Sequence, residues 1–302
     1  LEFEASVCGG VPIIRSLKES LIANKISKIY GIFNGTSNYI LSSMDKQKKS
    51  FNDVLSNAKK LGYAESNPSA DLNGDDVSSK LKILSSLCFS SFLNNNIYVE
   101  GIKNIDRVDI DNANKLGYKI KLLGFAELLD NKIYQRVHPT LIKKESYVAS
   151  IDGVLNAVIV DGKPVGQSTI QGEGAGPAAT TSALVSDISS ISRGNIKFPF
   201  SLSSKERKKL RFTDIEERFF SAYLRFEVLD KPGVLSNITR IFSKHKVSIK
   251  RLVQNPDRNK KSSSIIIITH ESKDKFLKKV LKEVSRKKYI KNNSKLIRID
   301  NS

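Results

Sequence analysis

The sequence predicts two α/β units in series: a mixed-sheet α/β or α+β unit over residues 1–196, then a compact ferredoxin-like βαββαβ unit over 218–300. Three observations carry this reading. Helix-spaced and strand-length apolar stretches alternate along the first two thirds of the chain. Residues 197–217 are basic and polar, with no apolar period. Beyond them, short strands and two amphipathic helices follow one another in a regular order.

In the first unit, ASVCGGVPII is a short strand-like apolar segment broken by a glycine pair. RSLKESLIAN reads as a short amphipathic helix. KIYGIFNGTSNYILSSM offers a strand, a turn at Asn34-Gly35 and a helix capped by Thr36 or Ser37. SFNDVLSNAKKLGY is a helix with Phe51, Val54, Leu55, Ala58 and Leu61 on its apolar stripe and Gly62 placed to end it. DDVSSKLKILSSLCFSSF makes a helix of about four turns. Strands are expected at 118–130, 133–142 and 155–161, with a turn at Asp161-Gly162. GEGAGPAATTSALVSDISSI is a glycine loop feeding a helix whose Pro177 suits the first turn. In the second unit, AYLRFEVLD, VSIKRLVQN, SSSIIIITH and SKLIRID are strands, and VLSNITRIFSKHK and KDKFLKKVLKEVSRK are helices.

The composition, 39% hydrophobic and 27% charged, suits compact globular units. No apolar run approaches the ~18 residues of a membrane span, so no membrane partner is expected. The N-terminal sequence has no export signal, and its lack of an initiating methionine reads as a fragment whose upstream part is absent. Cys8 and Cys88 make no disulfide framework, and a reducing cytoplasm fits them best. The excess of 50 Lys+Arg over 31 Asp+Glu is spread widely, densest in KERKKLR at 205–211 and without interleaved aromatics. It reads as a lysine-rich surface that attracts small anions rather than as a nucleic-acid interface.

One stretch breaks that basic surface. LGYAESNPSADLNGDDVSSK gathers Glu65, Asp71, Asp75 and Asp76, and places Lys80 one helical turn after Asp76. One reading is a surface ion pair with acidic first-turn residues favoured by the helix dipole. The other is a cleft in which Asp76 orients the Lys80 ammonium, carboxylates hold a cationic amine, and the lysine exchanges a proton with a hydroxyl or carbonyl oxygen.

GIFNGTSNYILSSM, LGYAESNPSADLNGDDVSSK and GEGAGPAATTSALVSDI, in this order, closely resemble homoserine dehydrogenase, and EASVCGGVPII resembles the segment that opens its catalytic region. The resemblance runs from residue 2 to about 192. It implies NAD- or NADP-dependent interconversion of L-homoserine and L-aspartate-4-semialdehyde. It also implies substrate binding by Glu65, Asp71 and Asp76, with Glu65 on the amino group, and proton transfer by Lys80 supported by Asp76. Gly176 is implied near the nicotinamide, with Asn34, Gly35 and Thr36 as further contributors. Sodium is implied at the main-chain oxygens of Glu4, Val7, Gly9 and Val11. The Gly-rich dinucleotide fingerprint of the family does not precede the catalytic region, and GEGAG lacks the spacing to replace it.

FEVLDKPGVLSNITRIFSKHKVSIKRLVQ resembles an ACT-type amino-acid sensor. That resemblance implies paired copies in a homo-oligomer and a threonine-like effector near Gly233, Val234 and Leu235. The alternative to an enzyme is a regulatory protein that binds an amino acid in the same pocket without a cofactor domain.

Overall fold

The computed structural model describes residues 1–92, 97–195, 197–257, 262–291 and 294–300, so the expected boundary at 196 lies outside the described residues. The chain divides into two units. One comprises Leu1–Pro139 and Lys144–Asp214, the other Thr140–Lys143 and Ile215–Ser302.

The first unit opens with a 3₁₀ turn at Glu4–Ser6 and the short helix α1 (Ile13–Arg15), which runs on as a π-turn over Ser16–Ser20. The predicted opening strand does not form. Cys8 and Gly9 both take positive φ, which breaks an extended run. There follow β1 (Lys25–Ile32), α2 (Gly35–Gln47), α3 (Phe51–Lys60), α4 (Ser69–Asn73) and α5 (Asp75–Phe89). Next come β2 (Tyr98–Val99), α6 (Arg107–Lys115), β3 (Tyr118–Leu129) and β4 (Lys132–Lys143), then α7 (Tyr147–Ser150), β5 (Leu155–Lys163), β6 (Gly166–Glu173), α8 (Pro177–Ser192) and β7 (Arg211–Thr213).

The sheet of this unit runs β6-β5-β1-β3-β4, and β2 and β7 pair with β4 in parallel. Asp130 and Asn131, both at positive φ, turn β3 back into β4, as a two-residue hairpin requires. Helices α2, α5 and α6 pack on β3. The core beneath them includes Phe33, Met44, Val77, Leu81, Leu84, Leu123 and Phe125, each at most 3% exposed. Two expectations move. Asp161 and Gly162 lie inside β5, paired with Gln167 and Gly166, so the reversal falls at Pro164-Val165. The basic, polar stretch 197–217, expected as a linker, contributes β7, whose Arg211–Thr213 pair with Lys132–Tyr134 of β4.

The second unit holds β8 (Phe219–Leu229), α9 (Val234–Lys244), β9 (Ile249–Asp257), β10 (Ser262–Thr269), β11 (Ser272–Lys273), α10 (Asp274–Ser285) and β12 (Lys295–Ile299). Its principal strands lie in the order β12-β8-β10-β9, neighbours antiparallel. Apart from the two-residue β11, that is the βαββαβ pattern read from the sequence. Ile238, Ile241 and Phe242 of α9 and Leu277, Val280 and Val284 of α10 are buried, the i, i+3, i+4 stripe of an amphipathic helix. Phe226 of β8 meets Phe242 edge-on at 6.5 Å. Arg298 is buried and holds Asp274 through two hydrogen bonds of 2.7 and 3.2 Å. Among the described residues of the whole chain, no helix is long and apolar enough to cross a membrane.

Candidate active site

The acidic cluster is built by one glycine. Gly74 ends α4 at φ 89 and is at once the residue before α5, so two helices meet without an intervening loop. A side chain there would suffer the left-handed backbone and press on Val99 and Val137 at 3.2 Å. The bend brings Asp71 of α4 and Asp76 of α5 to a common partner. The Asn34 side-chain amide donates to Asp71 Oδ1 at 2.7 Å and to Asp76 Oδ2 at 2.8 Å. Two carboxylates this close repel, and one shared donor offsets that with two charge-assisted hydrogen bonds.

Asn34 also caps α2, its Oδ1 accepting from the Ser37 amide at 2.8 Å. Asn34, rather than Thr36 or Ser37, is therefore the cap, because its side chain reaches the third helical amide from extended backbone. Ser37 instead donates its hydroxyl to the Asp71 carbonyl at 2.8 Å. Lys80, one turn along α5, donates to Asp76 Oδ2 at 2.8 Å and to the Phe33 carbonyl at 2.9 Å. Its side chain keeps 18% of its exposure and that of Asp76 28%. An ammonium has three donors, and the described residues take two of Lys80's. Glu65 is exposed and makes no hydrogen bond or ion pair among the described residues.

The other expected segments converge nearby. The 8–10 loop lies against the glycine loop before α8: Gly10 N donates to Glu173 O at 2.9 Å, and a Cβ on Gly9 would stand 2.8 Å from Gly174 O. Burial pushes the Cys8 thiol up to about 11, and it feels the charges of both Lys80 and Asp76, which puts this wall beside the acidic cluster. Gly176 precedes α8 at φ 116, and a Cβ placed on it would touch nothing within 4 Å, so its backbone faces open space. The Glu4 carboxylate is committed elsewhere. It accepts from the Ile14 and Arg15 amides at 2.8 Å each, and burial raises its pKa although those two bonds pull it back. The Val7 and Gly9 carbonyls accept no hydrogen bond among the described residues, whereas the Glu4 carbonyl takes Val7 N at 3.4 Å and the Val11 carbonyl takes Ile13 N at 2.7 Å.

Sequence reasoning does not single out a second lysine of this unit. Lys121, 1% exposed in β3, donates to Asn38 Oδ1 at 3.0 Å, to Asp152 Oδ1 at 2.8 Å and, over a short contact, to the Ile151 carbonyl. Asp152 is also paired with Lys46 at 3.0 Å and Lys119 at 3.5 Å. Burial lowers the Lys121 pKa, opposed by its bond to Asp152. Asn38, one turn beyond Asn34, donates to the Ile151 and Leu155 carbonyls and so docks α2 on this network. The signal in the sequence is a lone lysine inside the apolar run IKLLGF.

A model of the homoserine dehydrogenase family matches residues 12–189, and one of the ACT domain matches residues 222–287. The chain is 41% identical over 300 residues to the homoserine dehydrogenase of Helicobacter pylori, covering 99% of itself and 71% of that protein. It is 40% identical over 288 residues to that of Neisseria gonorrhoeae, covering 93% and 66%. The crystal structure of a homoserine dehydrogenase from Thiobacillus denitrificans superposes with a TM-score of 0.91 at 38% identity, over 99% of this chain and 69% of that one. A hyperthermophilic archaeal homoserine dehydrogenase mutant, solved in complex with NADPH, superposes with a TM-score of 0.55 at 28% identity over 65% of this chain and 56% of that one. The chain thus spans roughly two thirds of the length of the first three of these relatives.

Proposed function

The chain belongs to the homoserine dehydrogenase family, and from that premise we propose that it carries the substrate-binding and proton-transfer machinery for the NAD(P)-dependent interconversion of L-homoserine and L-aspartate-4-semialdehyde. The observation that carries the proposal is Lys80, held by Asp76 and the Phe33 carbonyl with one donor left over beside Asp71 and Asn34. A bound nicotinamide dinucleotide supplies the hydride chemistry, which no side chain can provide. The open backbone at Gly176 and the start of α8 suit its close approach.

In aldehyde reduction, charge develops on the carbonyl oxygen. Lys80 stabilises that charge and delivers the proton; in homoserine oxidation the neutral amine takes the hydroxyl proton. Asp76 holds the amine in place, and Asn34 restrains both Asp76 and Asp71 from rotating freely. Glu65 pairs with the substrate ammonium, a role its exposed, uncommitted carboxylate supports. Sodium fits only as a main-chain ligand set, with the free Val7 and Gly9 carbonyls as its better half and those of Glu4 and Val11 shared with amides. It would brace the loop that touches Gly174.

The second unit is assigned as a sensor for a small amino acid, most simply threonine, in a cytoplasmic homo-oligomer. Gly233, Val234 and Leu235 form the turn and first residues of α9, where backbone amides can meet a carboxylate. The test joins this chain to a dinucleotide-binding half and follows homoserine-dependent cofactor reduction, with and without threonine, beside a version ending near residue 205. Turnover is expected in both forms and threonine inhibition only in the longer one. Folded, dinucleotide-binding protein that turns over neither substrate would refute the enzyme reading. An equal threonine response in both forms would refute the sensor reading alone.

A further inference from the structure

The segment between α3 and α4 carries Glu65 on an arm that is fastened at both ends. On one side Tyr63 is held twice by the first turns of α2: the Thr36 hydroxyl donates to the Tyr63 carbonyl at 2.8 Å, and the Tyr39 ring packs on the Tyr63 ring at 4.9 Å between centroids. On the other side Lys59 donates to the Ser66 carbonyl at 2.9 Å. The Tyr39 hydroxyl accepts from Asn57 of α3 at 3.1 Å, so this ring spans α2, α3 and the arm. Between the fastenings, Ala64 is buried and Glu65 is exposed. The same stretch at the start of α2 supplies Asn34 to Asp71 and Asp76, and Ser37 to the Asp71 carbonyl. We propose that Tyr39 is a positioning residue for the substrate: through Tyr63 it fixes the Glu65 arm to the same helix that fixes Asp71 and Asp76, so all three carboxylates share one reference. Tyr39 touches none of the reacting atoms. It sets the distance between the amine-binding end and the proton-transfer end of the site.

The inference rests on the reading of Glu65 as the partner of the substrate ammonium, and the experiment separates the two. Tyr39→Leu, Tyr39→Phe, Glu65→Gln and the double variant Tyr39→Leu/Glu65→Gln are made in protein joined to a dinucleotide-binding half. Amide hydrogen exchange over residues 62–67 and homoserine KM and kcat are measured. Tyr39→Leu accelerates exchange across the arm and raises KM about three- to tenfold, the size of one lost aromatic contact, with a smaller change in kcat. Tyr39→Phe keeps the ring and restores both values to near wild type. In the Glu65→Gln background, Tyr39→Leu adds little, because the arm no longer presents a charge. Unchanged exchange in Tyr39→Leu overturns the tether, as does an effect on KM that multiplies fully with that of Glu65→Gln. If Glu65→Gln leaves KM unaltered, the Glu65 assignment fails by itself, and the exchange data still decide whether Tyr39 holds the arm.

Discussion

Lys80–Asp76 and Lys121–Asp152 are both 2.8 Å apart within the first unit, and their surroundings are opposite. Lys121 has 2% of its side chain exposed and spends its donors on Asn38, Ile151 and Asp152. Lys80 spends two and keeps 18% exposure. An ammonium with every donor used fixes structure, whereas one with a donor in reserve can meet a substrate oxygen. The difference comes from position. Lys121 sits in mid-strand beneath α2, and Lys80 sits in the second turn of a helix that starts at an acidic bend. The two are linked through α2, which takes Asn38 to the first and Asn34 to the second.

The largest expected effect that would break this contrast is on turnover. Lys80→Ala should lower kcat by about 10²–10⁴-fold, the range for a positioned general acid–base, while the unfolding midpoint moves little. A wild-type turnover in Lys80→Ala, measured by aldehyde-dependent cofactor oxidation, would put proton transfer elsewhere.

Lys121→Met should do the reverse and act on stability first. It strands the Asn38 side-chain oxygen, leaves the Ile151 carbonyl with only the Asn38 amide as donor, and leaves Asp152 with its two more exposed lysines. The loss in urea unfolding should be about 3 kcal/mol, the low end for a broken buried pair because Asp152 keeps other partners and some solvent. The two ends of the pair respond oppositely to ionisation: burial disfavours charged Lys121, while Asp152 is raised by burial but lowered further by Lys121, Lys46 and Lys119. The carboxylate governs the acid range. Its folded pKa lies below the ordinary 3.8, so its stabilisation is complete above that value and is lost as pH falls through the depressed pKa. The gap between wild type and Lys121→Met should therefore narrow only in strong acid. A gap that closes near neutrality would contradict the assignment.

The same contrast shows what is legible in the sequence. Lys80 and Asp76 stand out because their i, i+4 spacing is local and their segment is acidic in a basic chain. The second unit is readable because its helices and strands alternate with strong apolar periods. Lys121 is not, since its partners come from α2 and from the 151–152 segment, some 80 and 30 residues away. The Phe33 carbonyl and the double role of Asn34 are equally hidden, because a backbone acceptor has no sequence signal and a capping asparagine looks alike whatever its amide meets. The opening segment reads as a strand but folds otherwise, because Glu4 reaches the amides of Ile14 and Arg15 across a left-handed turn at Cys8 and Gly9. That tertiary arrangement is not encoded by apolar spacing.

The central claim, that Lys80 holds a donor in reserve for substrate and Lys121 does not, is tested most directly by acylating lysine amines in the folded protein. The label on each lysine is read by mass spectrometry, with and without homoserine in the presence of a dinucleotide-binding half and oxidised cofactor. Lys80 should be acylated in the free protein and its labelling slowed severalfold by homoserine, while Lys121 stays unmodified in both conditions. Labelling of Lys80 that homoserine leaves unchanged, or Lys121 labelled as fast as Lys80, would contradict the account.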